Sequence, residues 1–279
     1  MKVQQYDPKK YQPITRPDIV IEYQTTYDTI QYVCPIIDKE WNQSEPFNVS
    51  LEGTQFEGCP MGCGPLAIAL ICTNFRRPYQ YDGYIYNWEL IDQMNNAYDL
   101  MSNSMGAYAV SKLIKDVGTM SSVEYYPTGS PINSEGLENA LDECGFKFNE
   151  PTTFEAGYNN TVYSLQLRQA VIMTGNTSAG HAWVLDGLMK ITEDVKAYDQ
   201  DGNPIPNTIL EEHNYQTERD YVHCNMGWGG ILNGYKYSAY EKNAELAPTL
   251  TYIYSNIFKN INNETYSNLT VYNGITPKI

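Results

Sequence analysis

Ser178-Ala-Gly-His-Ala-Trp-Val-Leu-Asp-Gly187 is the stretch on which the fold class and the first candidate for chemistry both turn. Ala182 to Leu188 reads as a strand with one face buried. His181 stands at the head of that strand, directly after Gly180, and is one of three histidines in 279 residues. A ring at the start of a rigid element is held in place. Alone, a histidine beside Gly and Ala is more often structural than catalytic, so its meaning depends on what the rest of the chain brings to it.

Upstream, the pattern is helical. A helix is predicted from about Cys63, with Pro65 in its first turn and Leu66, Ile68, Ala69, Leu70, Ile71 and Cys72 as an apolar body. It must stop before Pro78. Further helices are expected over Ile85–Leu100, over Ala107–Asp116 with Gly118 as its stop, and over 134–144 with Ser134 as cap and Gly145 as stop. From about residue 161 strands are expected instead: Leu167–Met173, Ala182–Leu188, Tyr221–Asn225, Gly234–Tyr240 and Thr251–Phe258, with a hairpin-like turn at Asp201-Gly-Asn-Pro. Helices first and antiparallel strands second make an α+β fold. Residues 1–33, rich in Tyr, Gln, Thr and Pro, read as an extended arm, and 34–279 as one domain with the site in a cleft between its two halves.

Composition excludes several function classes. A net charge of −15 argues against nucleic acid, which requires a basic face. No run approaches the roughly 18 apolar residues of a membrane span. The start, Met1-Lys-Val-Gln-Gln-Tyr, lacks the apolar stretch of a signal peptide. The 25 tyrosines, many beside Asn, Thr and Ser, suit strands with one wet face. Six cysteines in a chain of this length form no dense disulfide framework; Cys72, Cys144 and Cys224 read as core thiols. Cys59 and Cys63 lack a second pair for a metal, and His213 and His223 are too isolated to complete a zinc site, so no metal or cofactor is expected.

Cys63 is the candidate nucleophile, because a thiol at a helix amino terminus feels the positive end of the helix dipole and unpaired backbone amides. Cys59 is its rival, disfavoured by Pro60 and a loop setting. His181 would take the thiol proton and return it to the departing amine. Asn225, in Asn225-Met-Gly-Trp-Gly-Gly230, would orient the ring, Trp228 would shield that contact from water, and Gln43 would join the Cys63 amide in receiving an oxyanion. Asp186 lies on the opposite strand face from His181 by period-two counting and reads as structural.

These residues carry a resemblance. The chain resembles the streptopain-type cysteine peptidases, secreted bacterial enzymes with a papain-like fold. Pro35-Ile-Ile-Asp-Lys-Glu-Trp41-Asn-Gln43-Ser-Glu-Pro46-Phe-Asn48 is similar to the family's Pro-Leu-x-x-x-Trp-x-Gln-x-x-Pro-Tyr-Asn. Gly62-Cys63 through Pro78 fits its nucleophile segment, and Gly180–Gly187 its Gly-His-Ala-Trp-Val-x-Asp-Gly. His223-Cys-Asn225-Met-Gly-Trp228-Gly-Gly230 fits its His-x-Asn-Trp-Gly-Trp-Gly-Gly, continued by Asn233-Gly-Tyr235. The blocks span about residues 33–258 in the family's order. The resemblance implies a papain-like fold, with the helical half carrying Cys63 and the sheet half carrying His181 and Asn225. It assigns Cys63 as nucleophile, His181 as base, Asn225 as orienting residue and Gln43 as oxyanion donor, with Trp228 in the active-site block. It implies secretion or a place in the cell envelope, protein or peptide substrates, and a prodomain or proteinaceous inhibitor as partner.

The sequence departs from the family where Met226 replaces a Trp, and where Gly64-Pro65 and Leu70 replace Val-Ala-Thr and Gln in the nucleophile helix. The family is typically made as a zymogen, and the arm of residues 1–33 is read as a prodomain remnant or linker. The leading expectation is a cysteine endopeptidase. Its alternatives are a degenerate peptidase-fold binding protein and an acyl transferase using the same Cys-His site.

Overall fold

The structure, a computed structural model, describes residues 22–176, 180–205, 215–231, 233–237 and 267–278. Within the expected arm, Glu22–Val33 forms strand β1; residues 1–21 lie outside the described residues. A 3-10 turn at Val49–Leu51 precedes helix α1 (Cys63–Phe75), every residue of which from Gly64 to Cys72 is buried. A helix apolar all round belongs at the centre of a domain. It ends on Arg76 in the left-handed region, φ 51°, ahead of Pro78. Then come β2 (Gln80–Tyr81), β3 (Tyr84–Ile85), α2 (Trp88–Asp92), α3 (Ala97–Ser102), α4 (Ser104–Met120) and α5 (Ser134–Glu143). The second half holds β4 (Phe146–Lys147), β5 (Thr152–Thr153), α6 (Phe154–Gln166), β6 (Val171–Asn176), β7 (His181–Tyr198), β8 (Tyr215–Asn225), β9 (Gly234–Tyr237), β10 (Ser267–Tyr272) and β11 (Thr276–Pro277).

Several expected boundaries moved, each for a local reason. The single helix over Ile85–Leu100 is two short ones, because Asn87 and Asn96 each accept backbone N–H groups as caps and restart the chain. Gly118 does not stop α4. It sits inside the helix where a Cβ would lie 2.2 Å from the Tyr125 hydroxyl, so its role is close approach. The cap of α5 is Asn133, which accepts from the Gly136 N–H, rather than Ser134. Helix α6 was not expected, since Gly157, Asn159, Asn160 and Thr161 weaken its pattern; Thr153 caps it through the Ala156 N–H. Its end at Leu167 is why β6 begins at Val171. The strand expected at Thr251–Phe258 lies outside the described residues, as does His213.

Among the described residues the main sheet runs β5-β10-β6-β7-β8-β9, with β1 also paired to β7. The pairings β5–β10, β10–β6, β6–β7 and β8–β9 are antiparallel. Alternation divides its side chains between two cores. Ile172, Ala182, Val184 and Tyr272 pack with α1 to α5, whereas Val171, Met173, Trp183, Leu185 and Val271 pack with Phe154 and Leu165 of α6. The described residues fall into two compact units. One comprises Ile30–Lys190 with Asp220–Ile279 and contains both cores and all candidate site residues. The other comprises Met1–Thr29 with Ile191–Arg219; within it, buried Glu193 accepts from Thr217 and pairs with Arg219 at 2.6 Å. No helix among the described residues is long and apolar enough to cross a membrane.

Candidate active site

Cys63 is the first residue of α1 and only half-buried. The first N–H groups of a helix have no partner within it, so they are available to a charge placed there. The backbone N–H groups of Ala182, of Gly64 and of Cys63 itself favour its thiolate and pull its pKa down. Burial outweighs them and pushes the thiol up. Without a base the sulfur therefore keeps its proton at neutral pH. The turn that delivers it requires glycine: Gly62 has φ 92°, and a Cβ there would lie 2.6 Å from the Ser130 carbonyl oxygen. Ser130 fastens the same turn by donating its hydroxyl to the Pro60 carbonyl at 2.5 Å. Behind it, Gly64 admits Ile132, whose Cγ2 would sit 2.2 Å from a Cβ. That contact gives a physical reason for one departure in the helix that begins at Cys63.

Ala182, whose N–H lowers the thiol pKa, follows His181 at the head of β7. The imidazole is buried, stacked 4.6 Å from the Trp228 ring and 5.8 Å from Trp183. Its Nε2 lies 3.0 Å from the Met226 carbonyl oxygen. A carbonyl can only accept, so Nε2 carries the proton and, in the neutral ring, Nδ1 carries the lone pair.

Asn225 is placed beside this contact but does not make it. It is 2% exposed; its Nδ2 donates to the Lys39 carbonyl at 2.8 Å and its Oδ1 accepts the Gly227 N–H at 3.2 Å. The group that meets the ring is the carbonyl of the next residue. Met226 itself points into the second core, 1% exposed, so the Trp-to-Met departure alters that core rather than an open wall. Trp228 covers the ring face, half-buried.

Residues 39–43 run between these parts as a strap. Trp41 is fully buried, its Nε1 donating to the Met94 carbonyl at 2.7 Å, and its own carbonyl receives the Gly229 N–H at 2.8 Å. The Gln43 carbonyl receives the Met61 N–H at 2.8 Å, two residues before Cys63. The half-buried Gln43 side chain makes no hydrogen bond among the described residues. Cys59, the rival thiol, is 5% exposed in the first core. Asp186 meets His223 and the Ile37 N–H, not His181.

Sequence reasoning missed a part that is backbone: the Met226 carbonyl beside His181. Only the run Gly227-Trp-Gly-Gly230 hinted at this carbonyl, since closely spaced glycines mark chain whose main-chain groups face something. It also gave Asn233 no role, although its Oδ1 accepts the Met226 N–H at 2.8 Å.

Three comparisons bear on this arrangement. The sequence model of the peptidase C10 family matches residues 41–237. Among solved structures, active wild-type Prevotella intermedia interpain A cysteine protease is similar at 17% identity and a TM-score of 0.59, over 88% of this chain and 95% of that one. A fragment of prointerpain A from the same organism, mutated from cysteine to alanine, is similar at 18% identity and a TM-score of 0.58, over 90% of this chain and 74% of that one. No curated protein matches the chain by sequence.

Proposed function

The chain belongs to the peptidase C10 family, is a cysteine-type peptidase and has a papain-like fold; from that premise we propose that it is an endopeptidase acting through Cys63 and His181. The observation that carries the assignment is the pairing at the head of β7. The Ala182 N–H favours thiolate at Cys63, while the Met226 carbonyl oxygen lies 3.0 Å from Nε2 of His181, the residue before Ala182, so that Nδ1 serves as the base.

The thiol proton passes to Nδ1, giving thiolate and imidazolium. The thiolate attacks the substrate carbonyl carbon, and the oxyanion is received by the Cys63 N–H and the side-chain amide of Gln43. Nδ1–H then protonates the departing amine and an acyl-enzyme remains. Water, deprotonated by Nδ1, attacks the thioester and releases the acid. Trp228 and Trp183 keep competing water from the imidazolium, and Asn225 holds the 226–227 peptide that carries the orienting carbonyl.

Protein and peptide chains are the substrates, and residues 34–279 the catalytic domain. The prointerpain neighbour supports synthesis as a zymogen with a prodomain as partner, and hence secretion or a place in the cell envelope; finding the protein confined to the cytosol of its own cells would refute the placement. The chemistry is tested by casein hydrolysis. Activity in reduced protein that disappears with iodoacetamide and in Cys63→Ala is expected. Hydrolysis that survives Cys63→Ala would overturn the assignment, and an isopeptide product in place of a free carboxylate would mark an acyl transferase.

A further inference from the structure

We propose that Asn233 is a positioning residue for His181, acting through the backbone of Met226. The inference rests on the reading of Cys63 and His181 as the reacting pair and adds the device that keeps the imidazole in its productive tautomer.

The loop from Met226 to Asn233 follows the last rung of a ladder. Strands β8 and β9 pair up to Cys224 opposite Gly234, and Asn225 ends β8. The next N–H, that of Met226, has left the ladder, and a buried N–H without a partner is costly. Asn233, one residue before β9, supplies the missing acceptor with its side chain at 2.8 Å. The donor is an amide N–H, so the atom facing it must be the oxygen. The Asn233 backbone N–H also closes the loop onto the Gly230 carbonyl at 3.3 Å.

Both peptide planes of Met226 are thereby pinned. Asn233 holds the plane that carries its N–H, and Asn225 holds the next plane by accepting from Gly227 at 3.2 Å. The Met226 carbonyl belongs to that second plane, and it meets Nε2 of His181 at 3.0 Å. With three glycines between Met226 and Ile231, backbone stiffness alone does not fix the carbonyl's direction. The loop also carries Trp228 over the imidazole face. Releasing Met226 at its N–H side therefore loosens both the carbonyl that fixes the tautomer and the ring that covers it. The charge-assisted bond from the imidazolium to that carbonyl favours the thiolate–imidazolium pair.

A merely structural Asn233 would alter stability and leave the titration of the reacting pair where it was. The test is the rate of iodoacetamide reaction at Cys63 from about pH 4 to 10, read on the Cys63 peptide by mass so that exposed Cys34 does not contribute. Full-length parent, Asn233→Ala and Asn233→Asp are compared. Glu40, whose carboxylate packs against Gly230, is the charged neighbour of this loop and is common to all three. The alanine variant is expected to react about tenfold more slowly near pH 6, the size of one lost hydrogen bond expressed as a rate, with its acid limb moved to higher pH. Asn233→Asp keeps an acceptor oxygen and is expected to restore the rate. Where the alanine variant does not fold, Asn233→Ser, its oxygen withdrawn from Met226, is read in the same way. An alanine or serine profile that superimposes on the parent's overturns the proposal, and so does an aspartate variant as slow as alanine. Casein hydrolysis judges the peptidase reading separately. Hydrolysis with an unmoved profile removes the role of Asn233 and keeps the enzyme; a shifted profile without hydrolysis does the reverse.

Discussion

Asp186 and His223 face each other between β7 and β8, with the carboxylate Oδ1 2.5 Å from the imidazole Nδ1. The other carboxylate oxygen accepts the Ile37 N–H at 3.1 Å, and the Asp186 carbonyl accepts that of Ile36 at 2.8 Å. The chain that leads into the strap of residues 39–43 is therefore anchored on a fully buried side chain within the most diagnostic stretch of the sequence. Asp186→Ala would leave the Ile37 N–H and the His223 ring without their acceptor in a buried place. A loss of about 3 kcal/mol is expected from two such groups, with the iodoacetamide profile of Cys63 unchanged. Urea unfolding measures the first quantity, and a loss below about 1 kcal/mol would show that the anchor is dispensable.

His181→Ala tests where the thiol proton goes. Burial raises the Cys63 pKa, and the N–H groups of Ala182, Gly64 and Cys63 offset it only in part. With the base removed, the thiol titrates above the ordinary value of about 8.5. At pH 7 less than about 3% is then thiolate, so alkylation should fall about thirtyfold or more relative to a parent in which the ion pair is formed. A variant that reacts at the parent's rate at pH 7 would remove His181 from the assignment.

How much of this was legible in the sequence follows from which atoms are used. Side chains in a period show themselves: the apolar body of α1 and the alternation after His181 reveal the helix that begins at Cys63 and the central strand. The face of Asp186 also follows from period-two counting, and its contacts agree. Asn225 stands out in the sequence as a candidate site residue, but what it bonds does not. That depends on a turn directing its oxygen to Gly227 and its amide to Lys39, and no residue pattern encodes such a direction. Helix α6 was hidden because packing of Phe154 and Leu165 in the second core, rather than propensity, stabilises it.

Tyr86 sets an alkaline limit on stability. Its hydroxyl donates to Asp116 at 2.6 Å, and burial first, then that bond and the Asp116 charge, hold its pKa far above the usual value of 10.0. Burial also raises Tyr125. In the unfolded chain both lose their protons near about pH 10, while the folded protein keeps them. The folded state thus binds more protons at high pH. Its stabilisation is complete below about pH 10 and is lost as pH rises above that. Tyr86→Phe should cost about 2 kcal/mol at neutral pH, the worth of a hydrogen bond to a charged group, and should flatten the decline above about pH 10. Denaturant midpoints at about pH 8 and pH 10.5 decide it; equal declines in parent and variant would exclude Tyr86 as the cause.

Gly64 and Ile132 form a close pair beside Cys63, the proposed nucleophile. A Cβ at Gly64 would lie 2.2 Å from Ile132 Cγ2 and 3.3 Å from its Cβ, so the β-branched side chain cannot swing aside cheaply. Helix propensity alone would make Gly64→Ala stabilising by about 1 kcal/mol. Overpacking of about 1–3 kcal/mol should outweigh it, leaving a net loss and a displaced Gly64 N–H, one of the groups that lower the Cys63 pKa. Slower casein hydrolysis in the single variant is expected for that reason. Ile132→Ala removes the obstructing methyl, so the double variant should recover stability relative to Gly64→Ala, with a coupling of about 1 kcal/mol or more in the cycle. Additive effects would mean that Ile132 yields freely, and that the glycine after Cys63 answers to something other than this contact.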